Sequence, residues 1–138
     1  MSNSTINPTI VLVPGSFSVY GAYDPLLVLI RALGFIALAI QLPSTMKRMP
    51  LPPATLQDDA AQVRGVVEGL LEEGGEVVVV AQSYGGTVVT EALAGLSVKR
   101  LVFVSAMAPR VGETQETAMR MDEGFLPEEV VSHVFQSP

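Results

Sequence analysis

Ser83 is the residue whose surroundings most plainly allow chemistry. Residues 77–93 read VVVVAQSYGGTVVTEAL, four valines running through Ala81 and Gln82 into Ser83, then two glycines and an apolar stretch of helical length. A strand feeding a tight turn feeding a helix leaves the serine hydroxyl at the apex, where it can attack an acyl carbon. Such a turn requires small residues two positions either side of the nucleophile, and Ala81 and Gly85 occupy those positions. Gly86 adds room for the helix to pack close. The N–H of Tyr84 then lies at a helix N-terminus, aimed at the same spot, and can hold a developing oxyanion. A second donor is expected from the loop after the first strand, at Ser16 or Phe17.

Composition narrows the remaining chemistry. The chain has 138 residues with a net charge of −6, no cysteine and one histidine, His133. No disulfide or thiolate site can exist, and a structural zinc site lacks its ligands. The basic residues never cluster beyond Lys47-Arg48 and Lys99-Arg100, which argues against nucleic acid or an anionic membrane surface as partner. The Pro14-Gly15-Ser16 loop has neither G-x-G-x-x-G nor the Gly-Lys-Ser/Thr of a phosphate-binding loop.

The elements that must position the serine read as alternating strands and helices. Residues 9–13 (TIVLV) form a strand buried on both faces. Asp24 is placed as the N-cap of a helix with Pro25 at its first position, burying Leu26, Leu29, Ile30 and Leu33 and stopping at Gly34. Residues 35–40 make a second strand, so the apolar run 26–42, broken by Arg31 and Gly34, is a buried helix plus a buried strand rather than a membrane span. Residues 42–53 hold four prolines and form a loop. Thr55 and Asp58 make a capping box for a helix with Leu56, Ala60, Val63, Val67, Leu70 and Leu71 on one face, ended by Gly74-Gly75. Strand 76–81, a mostly buried helix 84–96 and strand 99–106 follow, with one more short helix expected at 127–135.

The pattern βαβαβαβ with apolar strands implies a single α/β domain: a parallel sheet of about four strands with helices on both faces. In such sheets the working site lies at the carboxyl ends of the strands. Three of those ends carry unusual residues: 14–17, 82–84 and Ser105 onward.

With these residues in place, the chain resembles the α/β-hydrolase family, closest to its small esterases and hydroxynitrile-lyase-like members. VLVPGSF matches the family's strand and His-Gly segment, with Pro14 in place of His. LPS after the second strand matches its D-L-P segment, with Gln41 in place of Asp. AQSYGG matches the nucleophile elbow, commonly G-H-S-x-G-G, and LVFVSAMAPRVGE matches the next strand and the start of the cap. The resemblance implies Ser83 as catalytic nucleophile, an oxyanion hole from Tyr84 with Ser16 or Phe17, a small acyl substrate (ester or amide), and no cofactor or metal. It divides the domain into a core, 9–106, and the start of a cap, 107–138.

The family's acid and histidine follow later strands, and this chain reaches Pro138 before those strands. Asp122 and His133 satisfy the chain order Ser, acid, His, but fall in the stretch resembling the cap. Two readings result. One is a serine hydrolase impaired by the lack of acid and base; the other is a non-catalytic, truncated α/β module or pseudo-enzyme. Lyase chemistry on the same scaffold needs the same histidine. Truncation there leaves the fourth strand as an exposed edge, so self-association through 101–105 is expected. The polar N-terminus lacks the pattern of a signal peptide, which leads to the expectation of a cytoplasmic protein.

Overall fold

The computed structural model describes residues 6–19, 21–114 and 116–118. Its elements are β1 (Thr9–Val13), α1 (Asp24–Ala32), β2 (Ala37–Ala39), a 3-10 turn (Pro43–Thr45), α2 (Leu56–Glu72), β3 (Val77–Gln82), α3 (Gly85–Ala92) and β4 (Arg100–Val104). The strands form one sheet in the order β2-β1-β3-β4, every neighbouring pair parallel. The chain first moves from β1 to β2 on one side, then crosses back over β1 to β3. The direction of winding therefore reverses between β1 and β3, and the crevice at their carboxyl ends is the topological switch point.

Strand alternation divides the core in two. Val11, Val13, Val77, Val79 and Ala81 pack with Val63 and Val67 of α2 and Val88, Val89 and Ala92 of α3. The intervening side chains point the other way, where Leu12 and Ala37 meet Leu27 of α1. Helices thus cover both faces, two on one side and one on the other.

Local signals in the sequence explain β1 and α2. β1 spans the expected residues. α2 opens with the expected capping box: the Asp58 N–H donates to the Thr55 hydroxyl, and the Thr55 N–H donates to the Asp58 carboxylate at 2.8 Å. That backbone bond, foremost, holds the Asp58 carboxyl below its usual range. The cap is therefore complete above ordinary carboxylate pKa values and is lost as pH falls through the lowered one. Gly74, at φ 80°, ends the helix as expected.

α1 departs from expectation. Its N-cap is Tyr23, and Asp24 and Pro25 are the first two helical residues. The Tyr23 carbonyl accepts the first helical bond from Leu27 N–H at 2.9 Å, which makes Tyr23 the boundary residue. Leu27, not Leu26, Leu29 or Leu33, is the buried residue, and Ile30 is half-buried. α1 meets the sheet along one line of contact, and its other apolar side chains face outward. The strands at 35–40, 76–81 and 99–106 shorten or shift to β2, β3 and β4, and the helix 84–96 to α3. The helix expected at 127–135 lies outside the described residues.

One core polar atom has no partner among the described residues: the hydroxyl of Thr87, on the buried side of α3. An unsatisfied buried hydroxyl costs about 1–3 kcal/mol. Thr87→Val keeps the branched shape and removes the hydroxyl. Urea denaturation of this variant should show a gain on the order of 1 kcal/mol; a loss would mean that the hydroxyl has a partner.

Candidate active site

Ser83 sits between β3 and α3 with φ 51°, in the left-handed region that costs a non-glycine residue about 1–3 kcal/mol. Two other non-glycine residues share this conformation among those described, Phe17 (φ 59°) and Ser105 (φ 43°). All three follow the carboxyl ends of strands, β3, β1 and β4 respectively. Backbone strain is therefore concentrated along the one sheet edge where the sequence had unusual residues.

Backbone hydrogen bonds fix the serine turn. The Ser83 N–H donates to the Ser105 carbonyl at 3.1 Å, and the Ser83 carbonyl accepts from Gly86 N–H at 3.0 Å and from Met107 N–H at 3.2 Å. The N–H of Tyr84 makes none of these bonds. Ala81 is buried and Ser83 is exposed. The two glycines are demanded by close approach. A Cβ at Gly85 would lie 2.4 Å from the Val13 carbonyl oxygen, and one at Gly86 would lie 1.9 Å from that of Met107.

The loop after β1 reaches the serine directly. A Cβ on Gly15 would sit 3.1 Å from Ser83 Cβ and 3.7 Å from Ser83 Oγ. Ser16 and Phe17 follow at once, both exposed, with Phe17 in its left-handed turn. The structure thus brings the β1 loop and the serine turn together across the switch point.

Two polar groupings brace this crevice, and sequence reasoning missed both. The Tyr23 hydroxyl donates to Gln82 Oε1, accepts a long 3.4 Å bond from Gly15 N–H, and lies 3.5 Å from the Ser18 hydroxyl. Tyr23 thereby links the start of α1 to both loops. On the opposite face, the carboxylate of Asp59 is fully buried. It accepts from Ser44 N–H at 2.8 Å, from the Ser44 hydroxyl at 2.6 Å and from the Tyr84 hydroxyl at 2.8 Å. Burial first, then this bond to Asp59, raises the Tyr84 phenol above its ordinary pKa. A signal for Asp59 existed: it stands three residues after Leu56 and four before Val63, on the buried stripe of α2.

Asp122 and His133 lie outside the described residues. No group of three or more metal-ligating side chains occurs among the described residues, and none of their helices is long and apolar enough to cross a membrane.

A parallel sheet wound about this switch point, with a strained serine between β3 and α3, defines a recognised class. The model of the alpha/beta hydrolase family matches residues 10–135, and the chain belongs to that family. Its four strands and helices are part of that fold. It is 49% identical over 123 residues to "Probable hydrolase R7" of a Phoma species, covering 86% of this chain and 50% of that protein. It is 31% identical over 119 residues to the alpha/beta hydrolase nvfD of Aspergillus novofumigatus, covering 79% and 47%. The chain spans about half the length of these curated relatives. Among solved structures it resembles an extracellular alpha/beta-hydrolase from a Paenibacillus species (TM-score 0.61, 20% identity, 85% of this chain and 50% of that one). It also resembles MenH from S. aureus (TM-score 0.59, 14% identity, 90% and 46%).

Proposed function

We propose that this chain carries the nucleophile half of a serine hydrolase acting on a small ester or amide-type acyl substrate. The observation that carries this reading is Ser83 itself, an exposed residue held at φ 51° with the Gly15 loop packed against it. In this reading Ser83 Oγ attacks the acyl carbon. The Tyr84 N–H, joined by that of Ser16 or Phe17, receives the charge that develops on the carbonyl oxygen. Losing one such donor typically slows turnover about 10²–10³-fold. The family reading calls for no cofactor and no metal. The base that removes the serine proton is supplied by His133 or by residues beyond this chain.

An intact-mass assay with a fluorophosphonate probe tests the reading. A single adduct is expected, mapped to Ser83 and absent from Ser83→Ala. If no adduct forms while a full-length relative reacts under the same conditions, this chain does not supply a working nucleophile.

The second reading is a non-catalytic α/β module. Without the histidine, the oxyanion hole and binding alone would leave roughly 10³–10⁴-fold over water. The two readings part at the same adduct. The proposed state in solution is a self-associated one, joined along β4.

A further inference from the structure

We propose that Asp59 is a positioning residue: through the Tyr84 hydroxyl it fixes the backbone of the serine turn and so aims the Tyr84 N–H. The tether is a matter of geometry, and its catalytic meaning rests on the reading of Ser83 given above.

Asp59 is fully buried beside Ala60 and Val63 on the face of α2 that packs against α3. A buried carboxylate carries a desolvation cost that an apolar side chain of similar size avoids. As a device for stability alone it is a poor choice. The cost is offset here by three donors, and all three come from two loops at the carboxyl end of the sheet. Two are from Ser44, in the 3-10 turn after β2. The third is the phenol of Tyr84, the residue between Ser83 and Gly85. None of the three bonds serves α2's own backbone, so Asp59 joins the loop after β2 to the turn after β3.

The position of Tyr84 gives the tether its consequence. Its peptide plane is set by the torsions of Ser83, strained at φ 51°, and by its own φ of −53°. A strained peptide persists only where its surroundings over-determine it. The aromatic ring is a stiff lever with two torsions, so holding the hydroxyl at 2.8 Å from Asp59 restricts the Cα and the N–H at the other end. The phenol stays a donor because burial and the carboxylate both favour its protonated form.

Tyr84→Phe tests this, because it deletes the hydroxyl and keeps both the ring and the N–H. The first measurement is amide hydrogen exchange in the intact chain. The N–H groups of Ser83, Gly86 and Met107 close the turn and should exchange at least about tenfold faster in the variant, while that of Val79 in β3 stays unchanged. The second is the kinetics of the fluorophosphonate adduct. The limiting rate should fall roughly ten- to a hundredfold with the half-saturating probe concentration unmoved, because the donor is displaced and not lost. Ser44→Ala provides an independent variant should Tyr84→Phe fail to fold. It releases the carboxylate from its other side and should speed exchange at the same three amides several-fold. Unchanged exchange at the turn in either folded variant overturns the proposal. So does an equal rise at Val79, which would mark a purely structural role, and so does an unchanged limiting rate in a parent that labels. A parent that forms no adduct but shows the selective exchange keeps the tether and removes the hydrolase reading.

Discussion

Gly86→Ala is expected to eliminate the stable folded chain. The added Cβ would lie 1.9 Å from the Met107 carbonyl oxygen, 2.9 Å from the Met107 carbonyl carbon and 3.0 Å from Ala106 Cβ. Two of these atoms are backbone, so no side-chain rotation relieves the overlap. The backbone itself is held, because Met107 N–H donates to the Ser83 carbonyl and Ser83 N–H donates to the Ser105 carbonyl. Moving Met107 away breaks the bonds that make the turn. Moving α3 away opens the seam with α2, where Val88, Val89 and Ala92 meet Val63 and Val67. Either route should cost at least about 4 kcal/mol, in the exceptional range for a single substitution. Domains of this size have only about 5–15 kcal/mol in total. Soluble yield and urea denaturation report the effect. Gly65→Ala is the informative contrast: it lies on the exposed side of α2 with nothing within 4 Å of an added Cβ. There alanine should stabilise by about 0.5–1 kcal/mol. A Gly86→Ala chain that unfolds within 1 kcal/mol of the parent would show that the approach to Met107 is not as close as described.

The same contrast shows what a sequence can reveal. The turn was legible because its requirements are local. Ala81, Gly85 and the run of valines stand within a few residues of Ser83, and the clashes at Gly85 and Gly86 confirm that smallness is what those positions need. The capping box at Thr55 and Asp58 was legible for the same reason. The buried face of α1 was not. DPLLVLIRA is apolar at nearly every position, so periodicity cannot mark one side, and only contact with Leu12 and Ala37 selects Leu27. Asp59 was hidden differently. Next to Asp58, in the first turn of a helix, it looks like ordinary dipole compensation. Its burial depends on Ser44, 15 residues before it, and Tyr84, 25 residues after it, and so on the fold bringing both loops to α2. Gln82 and Tyr23 are 59 residues apart and meet for a similar reason.

Val102→Lys is expected to convert this chain from an associated form to a monomer of 14.6 kDa. β4 pairs only with β3 among the described residues, and within these its other side carries unpaired backbone N–H and C=O groups. Its side chains add to the hazard, with Val102 39%, Phe103 41% and Val104 47% exposed. Register places Val102 beside Val80, on the face that α1 covers only in part. An edge of this kind, apolar and without lysine, proline or a bulge among residues 101–104, favours pairing with another strand. The occupant expected is β4 of a second copy, which satisfies both edges at once by a two-fold contact. A lysine at 102 can project into solvent, because the site is already well exposed. It should therefore oppose edge pairing while leaving the thermal unfolding of the single chain nearly unchanged. Sedimentation velocity at micromolar concentrations separates the outcomes. The parent should sediment as a dimer or larger species, and Val102→Lys as a monomer. A parent that stays monomeric over the whole range and unfolds cooperatively at high temperature has a protected edge. In that case the apolar side chains of β4 must be covered by something other than a second copy.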